Sequence, residues 1–222
     1  MTTVGFIGSG NIGGTVARLA VAAGYDVVVS NSRGPETLAG FVAELGPNAR
    51  AATAAEAATA GDLVVVSVPF GVFASLPAAE LAGKVVLDTG NYYPARDGDI
   101  AELEKGELTS AELLQRELGT ARVVKVFNNI FFKHLGSLPR PSGAADRTSL
   151  TIAGDDPAAK ETATGFLDRI GYDTVDLGPL AEGWRVQPGQ PAYGPPFGSM
   201  DDPAGAPASA DKVRAAAAAA AR

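Results

Sequence analysis

A short apolar run, VGFI, is followed at once by the segment GSGNIGG, in which three glycines stand at the spacing GxGxxG. Gly8 allows a tight turn, Gly10 lets a ligand approach the backbone closely, and Gly13 allows the next helix to pack closely. The free N–H groups and the positive end of that helix attract an anion. A strand, this loop and a helix in that order predict that a dinucleotide diphosphate binds at Gly8, Gly10, Asn11, Ile12 and Gly13.

A second candidate site stands where the next apolar run, DVVVS, gives way to Asn31, Ser32 and Arg33. In a dinucleotide-binding fold this joint meets the adenosine ribose, and an acidic residue here would bind the 2′-hydroxyl of NAD. A carboxylate would repel a 2′-phosphate by several kcal/mol at about 4 Å, whereas the Arg33 guanidinium attracts it and can bind it through two hydrogen bonds. A hydroxyl of Ser30 or Ser32 and the helix that begins at Pro35 would add donors. We therefore expect NADP(H), with Asn31, Ser32 and Arg33 at its 2′-phosphate.

Three later segments follow strand-like runs, and their ends should meet the same crevice of a doubly wound sheet. Val68, Pro69 and Phe70 offer a non-helical apolar surface for adenosine or nicotinamide, although Pro69 could equally just end a strand. Asn91 and Asn128 are suited to hold a carboxamide or a substrate oxygen, although asparagine is also an ordinary turn residue. We include all five among the candidate cofactor-binding residues.

The basic side chains after the fifth apolar run leave two interpretations open. In an otherwise acidic chain they could line a mouth for an anionic substrate, or they could lie on a solvated surface; they are Lys133, Arg140, Arg147 and Arg185. His134 is the single histidine, and we expect it to pack or to face the surface rather than to act as an acid or base.

Composition excludes several kinds of chemistry. The 222 residues contain no cysteine and one histidine, which excludes disulfides, thiolate nucleophiles, zinc-thiolate and histidine-cluster metal sites. The net charge of -7 argues against a nucleic-acid partner. The N-terminus lacks the pattern of a signal peptide, and the longest uncharged stretch, residues 63–79, is shorter than a membrane span and is interrupted by two prolines. We therefore expect a soluble cytoplasmic protein without a metal or a membrane partner.

The elements that would position these residues alternate between strand and helix. Amphipathic helices are predicted over 35–45, 110–118, with a capping box from Thr109 to Glu112, and 157–170, with Asp156 as N-cap. Alternation of this kind is typical of an α/β fold with a doubly wound, mostly parallel sheet, the Rossmann NAD(P)-binding fold. The apolar runs that we expect to form its parallel strands are 4–7, 26–31, 62–68, 84–88, 122–127, 149–153 and 174–177.

The amino-acid composition of the chain changes after Gly178. We expect residues 1–178 to form the NADP-binding domain, with a dinucleotide core over 1–120 and a β-α-β extension over 121–178. Residues 179–222 are rich in proline and glycine and end in an alanine-rich stretch. We expect a small cap segment that wraps the domain, followed by a helix that is capped by Ser209 and forms only if it docks. A homodimer is plausible because this segment needs a surface to cover.

The chain resembles the family of NADPH-dependent coenzyme F420 reductases, also called F420-dependent NADP oxidoreductases. The resemblance lies in GFIGSGNIGGTVARLA, VVVSNSR, LVVVSVPF, VVLDTGN and VVKVFNNI, in that order. It implies a Rossmann fold with a small C-terminal portion over a second cofactor, F420, and direct hydride transfer between the two stacked cofactors. It also implies that Ser9 contacts NADP and that Ser32 and Arg33 bind the 2′-phosphate. Thr37 stands where the family often has a further basic residue.

Two other functions remain open at this point. The first is an NADPH-dependent reductase of a small organic C=O, C=N or C=C bond, which would need a proton donor such as Tyr92, Tyr93, Lys133 or His134. The second is a non-catalytic module that senses NADPH. Because hydride transfer between cofactors needs no protein nucleophile, we assign no catalytic residue. The expected partner is a small hydride acceptor or donor.

Overall fold

The computed structural model describes residues 2–222 and, within them, eight strands form one sheet in the order β3-β2-β1-β4-β5-β6-β7-β8. The strands are β1 Thr3–Ile7, β2 Asp26–Ser30, β3 Ala49–Ala51, β4 Leu63–Val66, β5 Val85–Asp88, β6 Arg122–Lys125, β7 Ser149–Gly154 and β8 Asp173–Asp176. The α-helices are α1 Asn11–Ala22, α2 Ala39–Leu45, α3 Ala54–Ala60, α4 Ala78–Leu81, α5 Pro94–Asp97, α6 Ala101–Glu104, α7 Ser110–Leu118, α8 Phe132–Ser137, α9 Pro157–Arg169 and α10 Ala210–Ala218. Short 3-10 helices cover Pro35–Leu38, Phe70–Ser75, Leu180–Val186 and Pro195–Phe197.

The central strands are covered on both faces, as their unbroken apolar runs predict. Every residue of β4 and β5 is buried. Alternate side chains of β4 enter two cores: Val65 packs with α1 and α9, and Val64 and Val66 pack with α7. Burial on both sides of a mostly parallel sheet confirms the predicted doubly wound α/β fold. Strand β3, ARA, was not predicted because two alanines and an arginine carry no strand signal.

One junction of the sheet runs against the rest. The run 149–153 forms β7, which pairs antiparallel with β6, Val124 opposite Gly154. Strands β7 and β8 are parallel to each other. Our expectation that this run lies parallel to the preceding strands is therefore wrong. The connection between the two strands, residues 126–148, is long enough for a parallel crossover. Its one α-helix, α8, has only six residues, too few to carry the chain back along the sheet, so β7 begins at the edge where β6 ends.

The predicted helices form, with one difference. Segment 35–45 begins as a 3-10 turn, Pro35–Leu38, before α2. The capping box of α7 and the Asp156 cap of α9 are both present, the latter with Oδ1 accepting from the N–H of Ala159 at 2.8 Å. These side-chain caps satisfy N–H groups at the start of each helix that have no backbone carbonyl partner within it.

The C-terminal segment packs directly on the sheet and its loops. Helix α10 docks through Val213 and Ala217, and Ser209 caps it as predicted. Earlier in the segment, Phe197 is fully buried. The backbone oxygen of Ala208 accepts a hydrogen bond from the N–H of Ser149 at 2.8 Å, which ties the segment to β7. These contacts bring residues 193–200 to the carboxyl ends of β5 and β6.

Candidate functional site

The glycine loop between β1 and α1 has the geometry that its spacing predicts. Gly8 has a φ of +96°, and a Cβ added there would lie 2.1 Å from the carbonyl oxygen of Ser67. A Cβ at Gly13 would lie 2.2 Å from the carbonyl oxygen of Gly8. A side chain at either position would therefore collide with backbone. The loop can bring β1, β4 and α1 together only because these positions are glycine.

Gly10 plays a different part in the same loop. It is the N-cap of α1 and has no side chain with which to cap it. In the first turn the N–H of Gly13 donates to Ser67 Oγ at 3.1 Å, while the N–H groups that precede it face the cavity side of the loop without a capping side chain from Gly10. A Cβ built at Gly10 meets nothing within 4 Å, so the space in front of the helix is open. The N-terminus of a helix of 12 residues thus presents donors and positive potential to this space. The arrangement fits a diphosphate.

Two cavities open on either side of this helix terminus. The first, of about 550 Å³, is called the small cavity; it is lined by Ser9, Gly10, Asn11, Gly14, Thr15, Arg18, Arg33, Thr37, Leu38, Phe41, Glu44 and Phe132. The second, of about 920 Å³, is called the large cavity; it is lined by Asn11, Ile12, Thr89, Asn91, Tyr93, Arg96, Asn128, Asn129, Ile130, Phe131, Phe132, His134, Tyr193, Gly194, Pro195, Gly198, Ser199 and Met200. Asn11 and Phe132 line both, so one extended ligand could occupy the two.

The loop after β2 places Arg33 in the small cavity. Asn31 shapes this loop: its Oδ1 accepts from the N–H of Arg33 at 2.9 Å and its Nδ2 donates to Thr37 Oγ1 at 2.9 Å. Neither Asn31 nor the exposed Ser32 is among the lining residues. We expected a hydroxyl of Ser30 or Ser32 to donate to the phosphate, and for Ser30 this is wrong. Ser30 is fully buried, and its Oγ already donates to the carbonyl oxygen of Phe6 at 2.8 Å.

The large cavity brings the two predicted asparagines together. Asn91 Nδ2 donates to the carbonyl oxygen of Asn128 at 2.7 Å, and Asn128 Nδ2 donates to Asn91 Oδ1 at 3.1 Å. Asn128 Nδ2 also donates to the carbonyl oxygen of Val186 at 2.8 Å. The preceding residue, Phe127, has a φ of +65°, which is strained for a bulky side chain and turns the chain toward the cavity.

The three residues after β4 lie elsewhere. Val68 lies against the glycine loop, since its Cγ1 would be 3.0 Å from a Cβ at Gly8. Phe70 is buried, with its ring centroid 4.6 Å from that of Phe73 and 5.5 Å from that of Tyr92. The described lining of the two cavities contains neither Val68, Pro69 nor Phe70.

Two tyrosines form a hydrogen-bonded pair in the large cavity. The sequence analysis named Tyr93 as a possible proton donor but did not identify Tyr193. The hydroxyls of Tyr93 and Tyr193 lie 2.5 Å apart. Burial raises the pKa of Tyr193, and the hydrogen bond with Tyr93 raises it further. The Tyr193 hydroxyl therefore stays protonated at neutral pH and can donate a hydrogen bond. Tyr193 carried no signal, because it stands in a proline- and glycine-rich segment without periodicity.

Arg96 is the cation of the large cavity. Its guanidinium lies 5.0 Å from the centre of the Tyr93 ring, and its Nη2 donates to the carbonyl oxygen of Asn91 at 2.8 Å. It also forms two hydrogen bonds to the Asp97 carboxylate, at 2.7 and 2.8 Å. This hydrogen bonding lowers the pKa of Asp97. Arg96 thereby holds Asn91 and the Tyr93 ring in place, with much of its charge neutralised.

A buried ion pair supports the floor of the large cavity. Lys125 Nζ lies 2.8 Å from Asp88 Oδ2, and the two side chains are 1% and 0% exposed. The ammonium group also donates to the carbonyl oxygen of Gly90 and, at 3.3 Å, to Ser110 Oγ. The N–H of Gly90 donates to Asp88 Oδ1 at 2.7 Å. These contacts fix the turn that carries Asn91. A lysine inside the apolar run of β6 is the signal that could have revealed the pair.

His134 has the packing role that we expected. It is 1% exposed, and its Nε2 lies 2.8 Å from the carbonyl oxygen of Asp202. Ser137, one turn later in α8, donates to the carbonyl oxygen of Ala204 at 2.7 Å. The histidine therefore fastens the chain after Met200 to α8, at the edge of the large cavity.

Three of the other basic residues form ion pairs and do not line the large cavity. Arg147 is buried and pairs with Asp168 at 2.7 Å, Arg185 pairs with Glu182 at 2.5 Å, and Arg140 pairs with Asp146 at 3.0 Å. Lys133 lies over the ring of Phe131 at 5.9 Å. Arg140, Arg147 and Arg185 therefore do not form a mouth for an anionic substrate at the large cavity. For Lys133, which lies over a ring that lines this cavity, both interpretations stay open.

Two further properties concern residues 2–222 as a whole. This part of the chain contains no group of three or more His, Cys, Asp or Glu side chains that could hold a metal ion. Among its helices, none has the length and the apolar character needed to cross a bilayer.

A family described as NADP oxidoreductase coenzyme F420-dependent matches residues 3–92. These residues run from β1 to just beyond β5 and contain the glycine loop, Arg33 and Asn91. The match confirms the resemblance that the sequence motifs indicated, and it supports NADP(H) binding and an oxidoreductase.

The similar proteins include one curated relative, matched by sequence, and two solved structures, whose TM-scores show a similar fold. The metalloreductase STEAP3 of Rattus norvegicus is 30% identical over 186 residues, which cover 83% of this chain but 35% of that protein. A solved hypothetical protein of Sinorhizobium meliloti has a TM-score of 0.74 and 29% identity, and the match covers 86% of this chain and 92% of that one. A protein of Arthrobacter sp. FB24, described as a candidate F420-dependent NADP-reductase, has a TM-score of 0.67 and 25% identity. The match covers 82% of this chain and 87% of that one.

Proposed function

We propose that the protein is an NADP(H)-dependent oxidoreductase, because residues 3–92 match the family described as NADP oxidoreductase coenzyme F420-dependent. The observation that carries this proposal is the pair of cavities joined at Asn11 and Phe132, on either side of the open N-terminus of α1. The diphosphate lies at that terminus, the adenosine end in the small cavity and the nicotinamide end in the large one.

Arg33 supports the choice of NADP(H) over NAD(H). It lines the small cavity at the end of β2, where Asn31 holds its backbone, and no carboxylate occupies the position after β2 that would bind a ribose 2′-hydroxyl. Arg33 is exposed, so its guanidinium is free to turn toward a phosphate. NADP(H) supplies a hydride donor or acceptor; the residues around it supply position, charge and shelter from water.

The amides and aromatic rings of the large cavity support hydride transfer between two ligands that share it. Asn91 and Asn128 are held by each other and by Val186, so their amide groups have a fixed orientation. Phe131, Phe132 and Tyr193 give flat apolar walls on which ring systems can lie. The volume of 920 Å³ is near the upper end of the range of about 300–1,000 Å³ for small-molecule sites. Ring stacking at about 3–3.5 Å is the geometry that direct hydride transfer needs.

We propose coenzyme F420 as the second ligand. Direct transfer between NADP(H) and a deazaflavin requires no protein acid or nucleophile, which agrees with a chain that has no cysteine and whose one histidine is used for packing. The test is anaerobic mixing of the purified protein with NADPH and oxidised F420, followed by absorbance. Loss of the F420 absorbance together with NADPH oxidation supports the proposal. NADPH binding without turnover of F420 or any carbonyl compound would indicate the sensing module instead.

One observation favours a second candidate, an NADPH-dependent reductase of an organic C=O or C=N bond. Such a reaction needs a proton for the atom next to the hydride acceptor. The Tyr193 hydroxyl, hydrogen-bonded to Tyr93 inside the cavity, is the group placed to supply it. The replacement Tyr193→Phe separates the two candidates. It lowers kcat for a carbonyl or imine acceptor by about 10²-fold or more if Tyr193 is the acid, and it leaves the rate with F420 nearly unchanged.

A further inference from the structure

Resting on the proposed binding of NADP(H), we propose that Arg18 is a second cation for the 2′-phosphate and that Glu44 holds this arginine until the phosphate arrives. The pair Arg18 and Glu44 then determines how strongly the small cavity prefers NADP(H) over NAD(H). In the small cavity as described, Arg33 and Arg18 are the basic lining residues and Glu44 is the acidic one.

The two side chains lie on neighbouring helices that face each other across the small cavity. Arg18 is in the second half of α1 and Glu44 is near the end of α2. Arg18 Nε lies 2.6 Å from Glu44 Oε1, and Arg18 Nη2 lies 3.1 Å from Glu44 Oε2. The guanidinium therefore already presents the two-pronged edge that carboxylates and phosphates accept.

Neighbouring residues leave room for the arginine and support it. A Cβ at Gly14, one turn earlier in α1, would lie 3.4 Å from Arg18 Nη1 and 3.6 Å from the Phe41 ring. The glycine thus leaves a groove on α1 along which the guanidinium lies. The Arg18 guanidinium also lies 4.9 Å from the centre of the Phe41 ring. Stacking of this kind constrains the plane of the guanidinium and leaves its hydrogen-bonding edge free to exchange partners.

Exchange of partners is easy because the ion pair is exposed. The Arg18 and Glu44 side chains are 49% and 54% exposed, and an ion pair so accessible to water is weak. The hydrogen bond from Arg18 lowers the pKa of Glu44, so the carboxylate stays ionised at neutral pH and competes with a phosphate for the guanidinium.

The charges show the direction of the exchange. A phosphate monoester carries about -1.5 to -2 at pH 7 and has three acceptor oxygens. It is therefore a stronger partner for a guanidinium than a single carboxylate in the same solvent. With NAD(H) there is no 2′-phosphate, and Arg18 stays on Glu44. The pair thus adds affinity for the phosphorylated dinucleotide alone.

The chain contains a matched pair for comparison. Arg116 and Glu102 form two hydrogen bonds at 2.8 and 2.9 Å, with side chains 52% and 42% exposed. Neither residue lines the small or the large cavity as described. Replacing Arg116 or Glu102 therefore removes an equivalent surface ion pair without touching the proposed site.

The test is titration calorimetry of the full chain with NADPH and with NADH. We expect Arg18→Ala to weaken NADPH binding by about tenfold, equivalent to about 1.4 kcal/mol, and to change NADH binding by less than about twofold. We expect Glu44→Gln to strengthen NADPH binding by about threefold, since it removes a competing anion, again with little change for NADH. Arg18→Lys, which keeps the charge, should recover part of the loss.

The variants at Arg116 and Glu102 serve as controls, and Arg33→Ala serves as the reference for loss of the preference for NADPH. Arg116→Ala and Glu102→Gln should leave both affinities unchanged, and circular dichroism should show all variants folded. The inference is overturned if Arg18→Ala weakens NADPH and NADH equally, or if Arg18→Ala leaves NADPH binding intact while Arg33→Ala abolishes the preference; in the latter case the proposed function stands. If the unmodified chain itself binds both dinucleotides equally, the proposed cofactor choice fails together with the inference.

Discussion

The small and the large cavity differ in how far apart in the chain their residues are. Arg33, Arg18 and the glycine loop of the small cavity all come from one β-α-β unit, and the lining residues other than Phe132 lie within 36 positions of one another, from Ser9 to Glu44. The large cavity joins the ends of β5 and β6 to the segment 193–200, and its tyrosine pair is 100 positions apart. The proposed dinucleotide site is thus built from residues close together in the chain, whereas the proposed site of the second substrate depends on how the C-terminal segment packs.

The largest effect that we expect concerns the support of the large cavity. Lys125→Met leaves the Asp88 carboxylate buried without its cation, and loss of one partner of a buried pair costs about 3–5 kcal/mol of the free energy of unfolding. Urea unfolding measures this change. The double variant Lys125→Met, Asp88→Asn should recover part of the stability, because no buried charge remains. A loss of less than about 1 kcal/mol in the single variant would show that the pair does not hold this region together.

The next effect separates two roles within the small cavity's glycine loop. Gly8→Ala forces an alanine into a backbone conformation with a φ of +96° and toward the Ser67 carbonyl, so we expect a loss of about 1–3 kcal/mol in the free energy of unfolding. Gly10→Ala should leave the stability nearly unchanged, since its Cβ enters open space, but should weaken NADPH binding because it fills the position in front of α1. Thermal unfolding and calorimetry of both variants check this. Equal loss of stability in the two variants would contradict the assigned roles.

The smallest effect is the dependence of stability on alkaline pH. Tyr172 is fully buried and donates to the carbonyl oxygen of Leu135 at 2.6 Å, and burial raises its pKa. The protonated Tyr172 hydroxyl therefore contributes fully to the free energy of unfolding below the pKa of a tyrosine in the unfolded chain, about 10. As the pH rises above that value, this contribution is lost at about 1.4 kcal/mol per pH unit. Tyr172→Phe should remove the release of about one proton on unfolding and so flatten this pH dependence. It should also lower the free energy of unfolding at pH 7 by about 1 kcal/mol, because the hydrogen bond is lost. Urea unfolding from about pH 8 to about pH 11, a range that brackets the tyrosine pKa of about 10, shows whether the pH dependence changes.

The same contrast explains how much could be predicted from sequence. The glycine spacing, Arg33 and the alternation of strands and helices are local patterns, and they predict the fold and the phosphate-binding role that we propose for the small cavity. The direction of β7 could not be predicted, because a buried run reads the same in either direction. Arg18 was missed because its role depends on the packing of α1 against α2. Tyr193 was missed because the path of a segment without periodicity depends on long-range contacts such as that between Asn129 and the carbonyl oxygen of Ala192, at 2.9 Å.

The measurement that tests the account most directly is the binding of NADPH and NADH to the unmodified chain and to Arg33→Ala, by calorimetry under one buffer and salt condition. We predict that the unmodified chain binds NADPH at least about 100-fold more tightly than NADH, equivalent to about 2.7 kcal/mol, and that Arg33→Ala loses most of this preference. Equal affinities in the unmodified chain, or a preference that Arg33→Ala leaves unchanged, would contradict the assignment of the small cavity to the 2′-phosphate.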